Sequence, residues 1–193
     1  RIEGNTLTLH ETDMVVNKGI TIAGKGLREH LEAINHKEAI DFIKDIAQKK
    51  EPISERVLLD IHAIVLHSID KDNAGKYRRV PVIISGSKHI PPQPYLLQPQ
   101  MDELFQNEAN KDSMHPVVLA AQMHEKLVSV HPFIDGNGRT ARLLMNLILM
   151  QHGYPIANIK GDNETRRRYY ETLEEASSGD NSAFVEFIED VVI

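Results

Sequence analysis

The chain has 193 residues, a formal net charge of −6 at pH 7 and no cysteine. Its length predicts one domain with a substantial core, and 41% hydrophobic against 26% charged residues is ordinary for a globular protein. The acidic balance argues against a general binder of nucleic acid or anionic membranes, and the lack of cysteine excludes disulfides and thiolate metal sites.

The first fifty residues carry three helix signals. Residues 1–5 indicate a helix end, with Gly4 just after the last turn. Thr8 and Glu11 have the spacing of a capping box, which predicts a short helix behind Thr8. After a glycine-bearing loop, the apolar residues of Leu27 to Gln48 recur at helical spacing and predict a longer helix.

The residue pattern changes once in the middle of the chain, from helical spacing to a β-type segment. Ser54 caps an amphipathic helix whose histidines, His62 and His67, lie among apolar residues and indicate partly buried core positions. Between Tyr77 and Ile90, β-branched residues around the turn residues 85–87 predict a small β-hairpin. An exposed edge strand can be a plain structural feature or a surface that pairs with a peptide.

Five more helices are predicted after the hairpin, at Leu97–Asn110, His115–Val130, Arg139–Gln151, Thr165–Ser177 and around residues 184–188. The third of these is apolar nearly all round and should be the most buried. His124 and Glu125 begin a zinc-protease pattern, but Val128 stands where its second histidine belongs, so that class is excluded.

The residues best suited to catalysis and anion binding are concentrated in the stretch His131-Pro132-Phe133-Ile134-Asp135-Gly136-Asn137-Gly138-Arg139-Thr140-Ala141-Arg142. A glycine turn leads directly into the apolar helix, whose first N–H groups and positive dipole end favour an anion. Gly136 and Gly138 let the backbone curl around that anion without a Cβ in the way. Arg139 and Arg142 lie three apart, hence on one helix face. The stretch predicts a phosphate-handling site.

Several readings of this stretch stay open. His131 suits a general base for phosphoryl or nucleotidyl transfer near physiological pH. Asp135 suits Mg²⁺, which takes one carboxylate plus substrate phosphates, but it can also cap the following turn. The spacing Gly136-x-Gly138-x-x-Ala141 satisfies a loose dinucleotide-binding fingerprint, which the helical pattern before it disfavours.

The twelve residues match the motif HPFx[DE]GNGRxxR without a gap, so the chain resembles the Fic (Fic/Doc) family. The resemblance implies a mainly α fold with a small β-hairpin flap, a Fic domain over residues 51–193, and leading helices with an inhibitory-motif remnant over residues 1–50. It implies transfer of AMP from ATP, with Mg²⁺ or alternatively Mn²⁺, to a Ser, Thr or Tyr hydroxyl of a target protein. Family kinases carry lysine in place of Gly138, which favours AMP transfer here.

The resemblance also implies roles for single residues. His131 is the catalytic base, Asp135 holds the metal and Arg142 takes the γ-phosphate. Nucleotide contacts are implied for Asp135, Gly136, Asn137, Gly138, Arg139, Arg142, Tyr169, Tyr170 and Ser177. On pattern alone the two tyrosines are half-buried packing residues, and Ser177 departs from the asparagine that relatives often carry near adenine. The flap residues that would dock the target's main chain are Ile84, Ser85, Gly86, Ser87, Lys88 and His89.

Glu3 and Gly4 fit the end of the motif [ST]xxxE[GN], which Fic proteins with an N-terminal inhibitory helix carry. The resemblance implies that the Glu3 carboxylate pairs with Arg142 and occupies the guanidinium that should hold the γ-phosphate. Removing the carboxylate should then raise activity. On the sequence alone Glu3 is only an acid at a helix end.

Two other functions stay open, namely removal of AMP by the same site and a catalytically idle module that holds a peptide on the flap. The implied partners are ATP and a target protein that presents a hydroxyl in an extended segment. A homodimer is allowed, and neither nucleic acid nor a membrane is expected to contact this segment. The sequence lacks an initiator Met and a signal peptide, and it begins inside the inhibitory motif [ST]xxxE[GN]. We expect a fragment of a longer protein, located in the cytoplasm.

Overall fold

The computed structural model describes residues 2–106 and 114–192, which form eight α-helices and no β-strand. The helices are α1 (Leu9–Lys18), α2 (Leu27–Lys49), α3 (Glu55–Leu66), α4 (Leu97–Gln106), α5 (Pro116–Val130), α6 (Asn137–Gln151), α7 (Asn163–Ser177) and α8 (Ser182–Val192). The mainly helical fold is confirmed. The last part of the helix predicted over Leu97–Asn110 lies outside the described residues. Within them, no helix is both long and apolar enough to cross a bilayer.

Side-chain caps start three of the helices that the sequence predicts, namely α1, α3 and α7. Thr8 and Glu11 form the expected capping box at α1, with the Glu11 N–H 3.1 Å from the Thr8 hydroxyl. Ser54 caps α3, and Asp162 caps α7 through the N–H of Thr165 at 2.9 Å. Helix α6 has no side-chain cap and follows Gly136, whose backbone is left-handed.

Helix α6 lies at the centre of the fold and contacts α2, α3 and α5. Its buried apolar residues are Leu143, Leu144, Met145, Leu147, Ile148 and Leu149. Burying each large aliphatic side chain contributes roughly 1.5–3 kcal/mol, so the packing holds the axis of α6 firmly. The motif predicted to handle phosphate therefore leads directly into a buried, tightly packed helix.

The N-terminal segment packs onto α2 through polar and apolar contacts. Ile2 is buried in the core, and Gly4 turns the chain with a φ of +96°. The Asn5 amide donates to the Glu29 carbonyl and to the Glu32 carboxylate, both at 3.0 Å. Residues 2–5 form a turn in which these contacts direct Glu3 toward α6.

The predicted β-hairpin is wrong, since residues 80–92 form no strand. Only its turn is present, where the Ser87 N–H donates to the Ile84 carbonyl at 3.2 Å and Gly86 has a φ of +82°. Prolines 81, 91 and 92 lack the N–H that a strand ladder requires. Their missing donors explain why this β-branched segment forms an irregular loop.

Arg78 holds the two arms of this loop together in place of a ladder. Its guanidinium donates to the carbonyls of Val80 at 3.0 Å and Pro92 at 2.6 Å. The side chain is 3% exposed, so these hydrogen bonds are shielded from water. We keep the name flap for residues 80–92 because the loop still lies beside the motif.

Candidate active site

His131 is the residue at which α5 ends. Its φ of +49° is left-handed, a conformation that costs a non-glycine residue roughly 1–2 kcal/mol, and its N–H still donates to the Leu127 carbonyl at 3.0 Å. The ring Nδ1 lies 3.2 Å from the carbonyl of Val128. Because a carbonyl only accepts, Nδ1 carries the proton and Nε2 keeps its lone pair. Burial lowers the pKa of His131, which favours this neutral, basic form.

Arg78 joins His131 to the flap, a role that sequence reasoning missed. Its Nε donates to the His131 carbonyl at 2.8 Å, and its backbone N–H donates to the Pro132 carbonyl at 2.9 Å. The same side chain holds both flap arms. The left-handed backbone at His131 is thus supported by a buried charge that also fixes the adjoining loop.

The loop after His131 is closed by the amide of Asn137. Its Oδ1 accepts from the Phe133 N–H and its Nδ2 donates to the Phe133 carbonyl, both at 2.9 Å. Asn137 is 3% exposed. Since its side chain is used in this clamp, the predicted phosphate contact of Asn137 falls to its backbone N–H and stays a prediction.

His62 supports the same loop from α3. Its ring stacks on Phe133 with centroids 3.6 Å apart, and its Nε2 lies 3.0 Å from the Asp135 carbonyl while Nδ1 accepts from the Gly75 N–H at 3.0 Å. Burial lowers the pKa of His62 to about 4. The core position predicted for His62 is confirmed, whereas His67 is exposed and its ring pairs with Glu38 at 3.6 Å.

The two motif glycines are needed for different reasons. Gly136 has a φ of +78°, and a Cβ there would lie 3.3 Å from Val65 and 3.5 Å from the His62 ring. A Cβ on Gly138 would lie 2.3 Å from Oε1 of Glu3. Gly138 therefore makes room for a carboxylate directly against the first turn of α6, where unpaired N–H groups favour an anion.

Glu3 bridges the two arginines of the motif. Its Oε1 lies 2.8 Å from Nη2 of Arg142, and its Oε2 lies 3.1 Å from Nε of Arg139. The arginine side chains are 14% and 12% exposed. Burial alone would lower the pKa of Arg142, but the Glu3 carboxylate and Tyr169 raise it above its ordinary value. The contact of Glu3 with Arg142 that the resemblance implies is present, that with Arg139 was not foreseen, and the inhibitory role of Glu3 stays a prediction.

The space between Arg139, Arg142 and the first turn of α6, which Glu3 occupies, is called the seat below. Arg139 has N–H donors in this seat that form no hydrogen bond. Its Nη2 donates to Oδ1 of Asp135 at 3.1 Å, and Nη1 is 3.7 Å from a Glu32 oxygen. Nε and Nη1 are buried and form no hydrogen bond, although both lie near carboxylates. Unsatisfied buried guanidinium donors fit a ligand with more acceptor oxygens than one carboxylate, such as a polyphosphate.

Asp135 lies at the solvent side of the seat. Its carboxylate forms an ion pair with Arg28 of α2 and accepts from the Gly136 N–H at 2.6 Å. Burial alone would raise the pKa of Asp135, but Arg139, the Gly136 N–H and Arg28 lower it, so the group is ionised. Both readings of Asp135, a turn cap and a metal ligand, are compatible with this geometry.

Any metal ion at Asp135 would have to be held with few other protein ligands. In the described part of the chain, no three His, Cys, Asp or Glu residues are grouped to hold an ion. Asp135 would then be a lone protein carboxylate, which fits Mg²⁺ because that ion keeps most of its waters and shares substrate phosphates.

The α7 residues predicted to contact nucleotide differ in access. Tyr170 is 45% exposed, and its hydroxyl donates to the Ile2 carbonyl at 3.3 Å. Tyr169 is 2% exposed, with its hydroxyl 3.4 Å from Nη1 of Arg142. The Ser177 hydroxyl donates to the Glu174 carbonyl within its own helix at 2.7 Å. Their nucleotide contacts stay predictions.

The flap is attached to α7 through Glu174, another residue that the sequence did not single out. Its carboxylate accepts from the Ser87 hydroxyl at 2.5 Å and from the Lys88 N–H at 2.8 Å. On the other side, His89 Nε2 lies 2.8 Å from the Ser129 carbonyl of α5. The flap turn is therefore held between the helix that carries Tyr170 and the helix that ends at His131.

Comparison with known proteins decides the family. Residues 52–149 match the sequence model described as the Fic/DOC family. The chain belongs to the Fic/DOC family. It is 41% identical over 191 residues to protein adenylyltransferase Fic of Drosophila ananassae, covering 98% of this chain and 38% of that protein. The counterpart of Nematostella vectensis is 41% identical over 190 residues, covering 97% and 44%. The chain thus spans about two fifths of the length of these curated relatives.

The Fic fold is also evident in solved structures. Fic-1 (residues 134–508) from C. elegans superposes with a TM-score of 0.90 at 37% identity, covering 99% of this chain and 57% of that one. The dinucleotide-binding alternative is wrong, since α5 and not a strand precedes the motif glycines. The predicted family and fold are confirmed.

Proposed function

We propose that this chain is a protein adenylyltransferase, which transfers AMP from ATP to a hydroxyl side chain of a target protein. One observation carries the proposal. A carboxylate of the chain is seated between Arg139 and Arg142 at a helix N-terminus that no side chain caps, and the same motif holds His131, whose Nε2 keeps a free lone pair. Relatives named protein adenylyltransferase Fic support it.

His131 starts the proposed reaction as general base. Its Nε2 takes the proton of a Ser, Thr or Tyr hydroxyl, and that oxygen bonds to the α-phosphorus of ATP. The bond from the α-phosphorus to the bridging oxygen breaks, and pyrophosphate leaves with the electron pair. A positioned general base contributes roughly 10²–10⁴-fold, so loss of His131 should nearly abolish turnover.

The first turn of α6 stabilises the charge that develops on the phosphates. The Glu3 carboxylate lies against Gly138 in this turn, where the unpaired N–H groups favour an anion, and the guanidinium of Arg142 suits the γ-phosphate as a planar fork. Mg²⁺, when bound at Asp135 with ATP, would neutralise further phosphate charge. Gly138 leaves the space that a phosphate needs next to the backbone.

Glu3 opposes this reaction in the proposed resting state. Its carboxylate occupies the guanidinium edges that the γ-phosphate requires, and two anions at one site repel each other. ATP can still enter, with its α-phosphate misaligned for attack. The Glu3 side chain is already 33% exposed, so it can leave the arginines without first being uncovered from the core.

The experiment is label transfer from α-³²P-ATP with Mg²⁺ by the Glu3→Gly variant. Label should appear on the variant itself or on lysate proteins, and Glu3→Gly/His131→Ala should give none. Label that vanishes when wild-type protein is added would indicate AMP removal at the same site, with Glu3 orienting a water. No label on any protein would leave the idle peptide-binding module as the better account.

A further inference from the structure

Arg142 has a second contact through the other terminal nitrogen of its guanidinium. Nη2 meets Glu3 at 2.8 Å, whereas Nη1 lies 3.4 Å from the hydroxyl of Tyr169. That hydroxyl also lies 3.1 Å from Nε2 of His124 on α5. The three side chains thus form a continuous path from the seat into the core.

Donor counting fixes the direction of this path. Arg142 can only donate, so the Tyr169 oxygen accepts from it and keeps its own proton to give away. Nε2 of His124 is the acceptor at 3.1 Å, which places the imidazole proton on Nδ1, an atom with no hydrogen-bond partner. Burial lowers the pKa of His124 to about 3, so the ring is neutral and able to accept.

Both rings are held rigidly by aromatic packing. His124 is fully buried and Tyr169 is 2% exposed. The His124 ring is edge-on to the Tyr169 ring, with centroids 5.7 Å apart, and its centroid is 5.0 Å from that of Phe184. The ring centroids of Tyr169 and Phe187 are 6.1 Å apart. The Tyr169 hydroxyl therefore has little freedom, and it offers Arg142 a fixed acceptor.

The two contacts of Arg142 differ in what ATP would do to them. A phosphate would replace Glu3 at Nη2, whereas the partner of Nη1, Tyr169, is 2% exposed and would keep its contact with Arg142. From this asymmetry we infer that Tyr169, oriented by His124, is the positioning residue that keeps Arg142 directed at the phosphates once Glu3 has left. In this role Tyr169 acts through Arg142, independently of the nucleotide contact that the family resemblance predicts for it. This inference rests on the proposed function of the seat.

Selective loss of polyphosphate affinity is the expected effect. In the Glu3→Gly background, Tyr169→Phe should weaken binding of α,β-methylene-ATP roughly tenfold, the scale of one hydrogen bond to a charged group. Binding of AMP, which lacks the outer phosphates, should change less than twofold. Isothermal titration calorimetry with both nucleotides measures the ratio.

Two further variants separate positioning from packing. His124→Gln keeps a carbonyl that can accept the Tyr169 proton and should retain the preference for α,β-methylene-ATP over AMP. His124→Leu should lose it, and if that variant does not fold, the Gln variant and Tyr169→Phe decide. Tyr154→Phe is the matched control, because the Tyr154 hydroxyl also lies 3.1 Å from a histidine, His115, away from the seat.

The outcomes distinguish this inference from the function on which it rests. Arg142→Ala should lose the preference for α,β-methylene-ATP, and Tyr169→Phe should then add nothing. If Arg142→Ala keeps the preference, the proposed phosphate role of Arg142 fails. If Arg142→Ala loses it while Tyr169→Phe leaves it intact, or weakens both nucleotides equally, only the positioning role is overturned.

Discussion

The carboxylate of Glu3 lies 2.8 Å from Nη2 of Arg142, although the two residues are 139 positions apart in the chain. The turn at Gly4 and the anchoring of Asn5 on α2 bring them together. The helix N-terminus thus carries an anion of the chain's own, held by two arginines that are nearly buried. A nucleotide that uses the same arginines must displace it.

Gly138→Ala should have opposite effects with and without Glu3. Alanine in a helix is favoured over glycine by about 1 kcal/mol, but its Cβ would lie 2.3 Å from Oε1 of Glu3. We expect a lower Tm in the wild-type background. In the Glu3→Gly background, where Nη1 of Arg142 at 3.2 Å has to move slightly, we expect a Tm raised by at most roughly 2–4 °C. Thermal unfolding of the four proteins measures both shifts, and equal shifts would show that Glu3 does not fill this space.

Removing Arg28 should strengthen metal binding at Asp135. The Arg28 guanidinium pairs with that carboxylate at a largely exposed position, so a divalent ion has to displace it. An exposed ion pair is worth about 1 kcal/mol or less, and Arg28→Ala should tighten Mn²⁺ binding up to roughly fivefold. Electron paramagnetic resonance of free Mn²⁺ with ADP present measures this.

The control for Arg28→Ala is Lys37→Ala, which removes another cation of α2 that pairs with Asp41 away from the seat. It should leave Mn²⁺ affinity unchanged. Equal or weaker Mn²⁺ binding by Arg28→Ala would mean that Arg28 does not compete with the ion.

Stability should fall as the pH drops below the ordinary histidine range. Burial lowers the pKa of His62 to about 4, so the unfolded chain takes up a proton near pH 6.5 while the folded chain does not. The stabilisation is complete above about pH 6.5 and is lost progressively towards pH 4, by about 1.4 kcal/mol for each pH unit. His36 and His124 have lowered pKa values as well and add to the loss.

Urea unfolding at pH 7.5 and pH 5 tests this dependence. His62→Gln should be less stable at pH 7.5 but should lose less stability on acidification, because glutamine does not titrate. An identical loss in the wild type and in His62→Gln would contradict the assignment of a neutral, buried His62.

Glu174→Ala should loosen the flap without touching the phosphate seat. The carboxylate accepts two hydrogen bonds from the flap turn, at Ser87 and Lys88. In the Glu3→Gly background we expect faster amide exchange over residues 84–88 and a severalfold higher KM for the protein target. The control is Glu171→Ala on the same helix, whose carboxylate is 3.9 Å from Arg167 and makes no flap contact that the structure shows. Unchanged exchange in Glu174→Ala would refute this role.

Local signals in the sequence were sufficient for the helices. Caps such as Thr8 and Ser54, together with helical spacing of apolar residues, predicted the helices at close to their observed positions. The hairpin does not form because three prolines in this segment lack the N–H that a strand ladder needs, and because Arg78 binds the carbonyls of Val80 and Pro92 instead.

From the residues themselves, the site was predictable where they are adjacent in the chain, whereas the contact of Glu3 with Arg142, 139 positions away, followed only from the family resemblance. The motif from His131 to Arg142 is one stretch, so its chemistry could be read directly. The contacts of Arg28, His62 and Glu174 depend on how separate helices pack, and no local pattern reveals which atoms will meet.

The most direct test compares the initial rate of AMP transfer by wild type with that of Glu3→Gln, which keeps the side-chain shape and removes the charge. Using α-³²P-ATP, we predict that the variant is at least roughly tenfold faster, since every 1.4 kcal/mol of released competition is a factor of ten. With γ-³²P-ATP neither protein should become labelled. A Glu3→Gln rate equal to or below the wild-type rate, or label arriving from the γ-phosphate, would contradict the account.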